Sequence, residues 1–188
     1  MTNTLDIEAG WLSDAQRVIS PNCDERPAGE QISALVVHSI SLPPCKFGGP
    51  WIDALFTNTL DCSAHASFED LRDVRVSAHG LIRRDGQCTQ YVSFEQRAWH
   101  AGQSSFDGRS RCNDFSVGIE LEGCDTQAFT AAQYTRLAAV AQALMSAYPA
   151  ITPQRITGHS DIAPGRKTDP GPHFDWDYFH TLLSRRVQ

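Results

Sequence analysis

Residues 34–38 read Ala34-Leu35-Val36-Val37-His38, a short apolar run rich in β-branched side chains. Such a run predicts a buried strand. His38 lies at the carboxyl end of this strand, where open sheets present groups that bind ligands. For an isolated histidine, the alternative is a side chain that hydrogen bonds simply satisfy at a strand end.

Further strands are predicted around this one. Apolar and polar residues alternate from 74 to 84, Asp85-Gly86 is a turn signal, and residues 87–94 return as the partner strand of a hairpin. The alternation puts Leu81 on the same side as the polar residues. A brief last strand is predicted at residues 155–159.

Residues 116–122, Ser-Val-Gly-Ile-Glu-Leu-Glu, predict one more strand. The period of two puts Glu120 and Glu122 on one face and Ile119 and Leu121 on the other. One face of such a strand lies in the core and the other faces water or a cleft. Periodicity alone does not distinguish the two glutamates.

Helices are predicted between and after the strands. Apolar residues at helical spacing indicate a short amphipathic helix at about 50–60. Thr130-Ala131-Ala132-Gln133 is a capping box, so a second helix begins at about 131, and Pro149 ends it. Asp175 caps a closing helix. These elements predict an α/β fold, a single domain with a central mixed β-sheet flanked by helices.

Length and composition limit the classes of function. The chain has 188 residues, of which 41% are hydrophobic and 20% charged, which fits one globular domain. We expect the domain itself at residues 31–188, with residues 1–30 packing on it as an N-terminal arm. A net charge of −6 argues against nucleic acid or an anionic membrane as a partner. No obligate protein partner is evident.

The cytoplasm is the expected location. Residues 1–8 have neither the positive region nor the apolar core of a secretory signal. No run approaches the roughly 18 apolar residues of a membrane span. The cysteines, at positions 23, 45, 62, 88, 112 and 124, never occur as Cys-x-x-Cys. We therefore expect free thiols in a reducing compartment.

The segment from Gly158 to Gly171 carries three chemically capable side chains, those of His159, Lys167 and Asp169. It is too rich in glycine and proline to be predicted as helix or strand, and such a loop is a common place for a site. Histidine and aspartate are both zinc ligands, and His38 offers a third. The alternative is a surface loop ordered by its prolines.

The remaining histidines give less information. His65 and His180 are most simply surface residues, and His173 is most simply a loop residue. His79 and His100 stay open as either groups that support the metal ligands or walls of a cleft.

Several motifs resemble one family when they are taken in order. They are residues 36–44 (VVHSISLPP), 75–79 (RVSAH), 81–86 (LIRRDG), 98–102 (AWHAG), 112–116 (CNDFS), 118–123 (GIELEG), 158–159 (GH) and 166–171 (RKTDPG). From about residue 10 to residue 180, the chain resembles the AmpD-type cytoplasmic N-acetyl-anhydromuramyl-L-alanine amidases. It is similar, more distantly, to phage lysozyme-type amidases and to peptidoglycan recognition proteins, which share the fold.

The resemblance implies a zinc hydrolase that takes an anhydromuramyl-peptide as substrate. Such an enzyme cleaves the amide between the lactyl group of 1,6-anhydro-N-acetylmuramic acid and L-alanine during the recycling of cell-wall fragments. The family pattern places one zinc ion per chain on His38, His159 and Asp169. It gives catalytic roles to Glu120 and Lys167, and so selects the first of the two glutamates.

The resemblance also implies substrate contacts. It suggests that Arg75 and Arg111 meet carboxylates of the stem peptide, and that Ala98 and Trp99 line the cleft. Ser39 stands where the family often has asparagine, so one polar contact to substrate is shorter or bridged by water.

Two other departures from the family pattern bear on the shape of the cleft. Gly165 stands where the family often has glutamate, and Ser67 where it often has an aromatic residue. Neither change affects the predicted metal site.

Three other functions compete with this one. A peptidoglycan-binding module without chemistry is disfavoured because no ligand or catalytic acid is replaced. A broad amidase acting on polymeric wall is disfavoured by the missing signal sequence and the expected free thiols. A structural or partner-binding protein with a vestigial site is disfavoured by the intact set of residues.

Overall fold

The computed structural model describes residues 5–185. Its strands, in chain order, are β1 (Ile7–Glu8), β2 (Trp11–Leu12), β3 (Gln16–Arg17), β4 (Cys23–Glu25), β5 (Ala34–Ile40), β6 (Gly80–Ile82), β7 (Cys88–Gln90), β8 (Gln96–Ala98), β9 (Ser105–Phe106), β10 (Arg109–Ser110), β11 (Ser116–Glu122) and β12 (Ile156–Gly158). Its α-helices are α1 (Trp51–Phe56), α2 (Ala131–Ala147), α3 (His159–Ile162) and α4 (Trp176–Ser184), and short 3-10 helices cover Ala66–Leu71, Cys112–Asp114 and Pro153–Arg155.

The central sheet has six strands in the order β12-β5-β11-β6-β7-β3. The first four run parallel to one another, β7 is antiparallel to β6, and β3 runs parallel to β7. Helices and loops bury both faces, as they do in most sheets with parallel strands. The expected α/β domain with a central mixed sheet flanked by helices is confirmed.

The two faces of the sheet have different neighbours. Leu35 and Val37 of β5 join a cluster of buried apolar side chains that includes residues of α2 and α4. Val36 lies in a smaller cluster with Ile162. Because successive side chains of a strand alternate between faces, His38 follows Val36 to the face away from α2 and α4.

The predicted starts of α2 and α4 agree with the structure, whereas the first helix, predicted at about 50–60, ends at Phe56. The Thr130 hydroxyl accepts from the backbone amide of Gln133, and the Gln133 side chain accepts from the backbone amide of Thr130, so the capping box is formed. The Asp175 carboxylate accepts from the backbone amide of Tyr178 at 2.8 Å and caps α4.

The hairpin is confirmed, but its first strand is shorter than predicted. Only residues 80–82 pair with β7, since the backbone amides of Ser77 and His79 bond instead to the carbonyls of Trp99 and Gly118, in two other segments. Leu81 and Ile82 pack in different apolar clusters, as the alternation predicted. Leu81 and Ile82 are both fully buried because both faces of the sheet are covered here.

The segment from Gly158 to Gly171 is more regular than predicted. Gly158 is the last residue of β12, and residues 159–162 form the single turn α3. The Asp161 carboxylate accepts from the backbone amide of Gly158 at 3.0 Å, which supports the start of this turn. The brief strand predicted at residues 155–159 is thus confirmed for Gly158, and the prediction of irregular backbone was wrong for residues 159–162.

The N-terminal segment joins the domain through backbone pairing. Strand β3 is the edge strand beside β7, and β4 pairs with β8. Arg26 donates to the carbonyls of Phe94, Asp114 and Ser116. The division at residue 30 stays a prediction, and residues 1–4 and 186–188 lie outside the described residues.

The expectation of free thiols was wrong for two of the cysteines. Cys45 and Cys124 form a disulfide, with Cα atoms 5.5 Å apart and a sequence separation of 79. The loop after β5 and the loop after β11 bring them together, a proximity that spacing in sequence does not reveal. The other four are free thiols. Among residues 5–185, no helix has the length and apolar character that crossing a membrane requires.

Candidate active site

The carboxyl ends of three neighbouring strands meet at one place. In the parallel register of β5 and β11, His38 is the direct partner of Glu120. Val37 is the partner of Gly158 in β12, so His159 follows immediately beside His38. Backbone pairing thus brings residues that are far apart in sequence to the carboxyl ends of the parallel strands, where α/β folds place their sites.

His38, His159 and Asp169 converge on one point. The Nδ1 atoms of the two histidines are 3.0 Å apart, and the Oδ2 atom of Asp169 lies 3.1 Å from His38 Nδ1 and 3.0 Å from His159 Nδ1. Among the described residues, this is the one group of three metal-binding side chains whose ligand atoms lie so close together. The structure therefore brings together the trio that the sequence suggested.

The spacing and chemistry of these atoms fit a zinc ion. Tetrahedral zinc with bonds of about 2.0–2.1 Å to nitrogen and oxygen holds its ligand atoms about 3.3 Å apart, close to the spacing seen here. Burial lowers the pKa of His38 to about 4, so its ring is neutral and carries a lone pair at neutral pH. Burial alone would raise the pKa of Asp169, but its close contacts with His159 and His38 outweigh burial and hold that pKa below its usual value.

Each histidine turns its other ring nitrogen away from the cluster. His159 Nε2 lies 3.2 Å from the carbonyl oxygen of Ala101. His38 Nε2 lies 2.9 Å from Nδ1 of His100. Metal-binding histidines commonly use the outer nitrogen in this way, which fixes the orientation of the ring.

Glu120 is the acid that remains free for chemistry. Its Oε2 atom is buried and has no hydrogen-bond partner. Burial, and then the charge of Asp169, raise the pKa of Glu120 well above its usual value, while Lys167 opposes the shift. A buried carboxylate without partners is costly, and such groups are concentrated where protons are transferred.

Glu122 has a structural role instead. Its Oε1 atom accepts from the backbone amide of Gly48 at 2.6 Å and from Arg83 at 3.3 Å, and its Oε2 atom accepts from the backbone amide of Arg84 at 3.4 Å. These contacts tie the loop after β5 and the hairpin turn to β11. The structure thus distinguishes the two glutamates that periodicity could not.

A cleft of about 420 Å³ opens beside Asp169. Lys167 lines it and is exposed, so its ammonium group is available to a ligand. Ser39 and the disulfide of Cys45 and Cys124 also line the cleft. This disulfide was not predicted from the sequence, although both cysteines lie within two residues of motifs that carry the resemblance.

The remaining predicted contacts are less close to this cleft. Arg75 is exposed and donates to the carbonyls of Arg72 and Val74, and Arg111 forms an ion pair with Asp114 at 3.1 Å. Neither arginine is among the residues that line the cleft.

Two neighbouring residues predicted to line the cleft differ in exposure. Trp99 is half-buried. The expectation that Ala98 lines the cleft needs correction, because Ala98 is fully buried among apolar side chains that pack with α1.

The two histidines that the sequence left open lie behind the site. His79 is fully buried, and its Nδ1 atom accepts from the backbone amide of Gly118 at 3.0 Å. His100 lies between His79 and His38. His79 supports β11, His100 contacts His38, and neither joins the cluster of three.

Known proteins share this arrangement of sequence and fold. The Amidase_2 family, described as N-acetylmuramoyl-L-alanine amidase, matches residues 28–172. The chain is 62% identical over 178 residues to the 1,6-anhydro-N-acetylmuramyl-L-alanine amidase AmpD of Citrobacter freundii, covering 95% of each protein. It is 62% identical over 181 residues to AmpD of Escherichia coli K12, covering 96% of this chain and 98% of that protein.

Solved structures agree with the sequence comparison. A crystal structure of a selenomethionine derivative of AmpD superposes with a TM-score of 0.92 at 62% identity, over 95% of this chain and 99% of that one. The amidase AmiD of E. coli, in complex with anhydro-N-acetylmuramic acid-L-Ala-D-γ-Glu-L-Lys, gives a TM-score of 0.60 at 28% identity, over 95% of this chain and 65% of that one. The chain belongs to the N-acetylmuramoyl-L-alanine amidase family.

Proposed function

We propose that this chain is a zinc-dependent 1,6-anhydro-N-acetylmuramyl-L-alanine amidase of peptidoglycan recycling. It hydrolyses the amide between the lactyl group of 1,6-anhydro-N-acetylmuramic acid and L-alanine in soluble cell-wall fragments. The observation that carries the proposal is the convergence of His38, His159 and Asp169 beside the unpartnered carboxylate of Glu120. The AmpD relatives, matched over nearly their whole length, support the choice of substrate.

His38, His159 and Asp169 hold the metal in this proposal. Three protein ligands are typical of catalytic zinc, since structural zinc takes four. When bound, zinc supplies a Lewis acid that polarises the scissile carbonyl and acidifies water. The neutral ring of His38 and the ionised carboxylate of Asp169 are the forms that bind a metal.

Glu120 acts as the proton carrier. Its buried Oε2 atom accepts the proton of the attacking water and then delivers that proton to the leaving amine of L-alanine. The raised pKa suits both steps, because a carboxyl group whose pKa lies nearer neutrality can take up and release a proton at neutral pH.

Lys167 stabilises the negative charge that develops on the carbonyl oxygen. Its position in the lining of the cleft, two residues from Asp169, supports this role. Trp99 and Ser39 contact the substrate at the mouth of the site, and Arg75 and Arg111 meet stem-peptide carboxylates farther out.

The remaining features of the proposal concern the whole chain. Residues 31–188 form the catalytic domain, residues 1–30 pack on it as an arm, and no nucleic acid, membrane or protein partner is required. We propose the cytoplasm as the location, on the strength of the resemblance to the AmpD relatives. The expected free thiols were a further argument for the cytoplasm. The disulfide of Cys45 and Cys124 removes that argument, because disulfides are typical of oxidising surroundings.

One assay separates this function from its nearest rival. Zinc-loaded protein is incubated with anhydromuramyl-peptide or with intact sacculi, and released peptide is identified by mass. The proposal expects peptide from the soluble fragment and none from the sacculi. Release from both identifies an amidase of polymeric wall, and release from neither identifies a binding module.

A further inference from the structure

The ligand histidine His38 is held from behind by a chain of hydrogen bonds. Its Nε2 atom lies 2.9 Å from Nδ1 of His100. The other nitrogen of His100, Nε2, lies 3.3 Å from the hydroxyl oxygen of Ser116. Ser116 is fully buried, and its hydroxyl lies 2.5 Å from the carbonyl oxygen of Cys112.

The carbonyl of Cys112 determines which atom is the donor and which the acceptor in each of these hydrogen bonds. A carbonyl oxygen can only accept, so the hydroxyl of Ser116 donates to Cys112. The oxygen of Ser116 then accepts from His100, which puts the His100 proton on Nε2 and leaves a lone pair on Nδ1. That lone pair accepts from Nε2–H of His38. The Nδ1 atom of His38 is therefore left with its lone pair facing His159 and Asp169.

For His159, a single hydrogen bond fixes the same tautomer. Its Nε2–H donates directly to the carbonyl of Ala101 at 3.2 Å, so its Nδ1 atom also carries a lone pair. Because a neutral imidazole has one donor and one acceptor nitrogen, both ligand histidines have their tautomer fixed by a main-chain carbonyl. His38 needs His100 and Ser116 in between, and His159 needs neither.

The fold holds the His100 ring in place. The side-chain oxygen of Asn113 accepts from the backbone amides of His100 at 3.1 Å and Ala101 at 2.7 Å. The ring lies directly over Gly118, where a Cβ atom would come within 2.4 Å of it. A larger residue at position 118 would push the ring away from His38.

We propose that His100 and Ser116 are positioning residues for the metal site, and that they act by fixing the tautomer and orientation of His38. This inference rests on the proposed metal site. Neither residue touches the ion or the substrate. Loss of such an outer partner commonly weakens metal binding about 10- to 100-fold.

Zinc affinity of the purified full-length chain is the first measurement, made by competition with a chelator of known affinity. Ser116→Ala removes the hydroxyl, and we expect zinc binding about 10- to 100-fold weaker than that of the unmodified chain. Ser20→Ala is the matched control, since Ser20 is equally buried and donates to the Phe56 carbonyl at 2.5 Å, as part of a separate contact. The control should leave zinc affinity unchanged.

Two variants at position 100 distinguish hydrogen bonding from packing. His100→Leu removes the acceptor for His38 and should weaken zinc binding as Ser116→Ala does. His100→Asn keeps an oxygen near the position of Nδ1, so it should restore most of the affinity. Equal affinities for Leu and Asn at this position would overturn the proposal.

The tautomer of His100 is read directly in the unmodified protein by long-range proton–nitrogen NMR, which also covers the case in which a variant does not fold. We expect the proton on Nε2 and none on Nδ1, and a mixture in Ser116→Ala. A proton on Nδ1 in the unmodified protein contradicts the proposal, as does unchanged zinc affinity in Ser116→Ala. If the unmodified protein bound no zinc, the proposed metal site itself would fail.

Discussion

Glu120 and Glu122 extend from the same face of β11, but only Glu122 has both carboxylate oxygens hydrogen-bonded. Glu122 holds two loops against the strand, while Glu120 lies beside His38 and has an unpartnered oxygen. Two acids of identical chemistry, two residues apart, thus have different surroundings, and the proposed proton transfer falls to Glu120 alone.

Substitution of each glutamate by glutamine should therefore affect different properties. Glu120→Gln removes the proton carrier, so we expect turnover to fall about 10²- to 10⁴-fold. Glu122→Gln leaves buried donors poorly paired, so we expect the free energy of unfolding to fall by about 1–3 kcal/mol. Turnover of the amide substrate and denaturant unfolding, measured on both variants, test the distinction. Equal loss of activity with unchanged stability in both would contradict it.

Lys167 should contribute to the rate and not to metal binding. Lys167→Met removes the charge that faces the developing oxyanion, and we expect kcat to fall on the order of a hundredfold, with zinc affinity retained. Lys46→Met is the control, because this lysine is exposed and has no part in the proposed reaction. Near-normal turnover of Lys167→Met would remove Lys167 from the mechanism.

The disulfide should stabilise the fold by closing a long loop. Cys45 and Cys124 are separated by 79 residues in sequence, so reduction should lower the free energy of unfolding by about 2–4 kcal/mol. Denaturant unfolding with and without a dithiol reductant measures this difference. The double variant Cys45→Ser/Cys124→Ser should not respond to the reductant. A reductant effect of the same size in that variant would trace it to another cause.

His79 should make stability depend on pH. Burial, and then the charge of Arg26, lower the pKa of His79 to about 3, whereas a histidine in the unfolded chain has a pKa of about 6.5. Between these values, the unfolded state binds a proton that the folded state does not. Stability therefore falls as the pH is lowered from about 6.5 to about 3, by up to roughly 1.4 kcal/mol per pH unit.

The comparison variant for this prediction is His79→Gln. Its amide keeps a donor for the carbonyl of Gln96, which His79 Nε2 approaches at 3.1 Å, but it does not titrate. Free energies of unfolding measured from pH 7 to pH 4 should fall more steeply for the unmodified protein. Parallel curves would mean that His79 titrates normally in the folded state.

Local patterns were sufficient for the parts of the fold that depend on neighbours in sequence. The capping box at Thr130, the Asp175 cap and the Asp85-Gly86 turn each involve residues within a few positions of one another. The apolar run ending at His38 identified a buried strand, and strand ends are where site residues were expected. For that reason, His38, His159 and Asp169 could be suggested as metal ligands from the sequence.

Features that depend on distant partners were not predictable from local patterns. Glu120 and Glu122 differ only through Gly48, Arg83 and Arg84, which tertiary folding brings to one of them. The pairing of Cys45 with Cys124 likewise depends on two loops that meet beside the cleft.

The central claim is that His38, His159 and Asp169 bind one zinc ion, and a zinc titration of metal-free protein tests it most directly. The account predicts one zinc ion per chain in the unmodified protein, and binding weakened severely in each of His38→Ala, His159→Ala and Asp169→Ala. If the unmodified chain bound no zinc, or if any of the three substitutions left its affinity unchanged, the account would be contradicted.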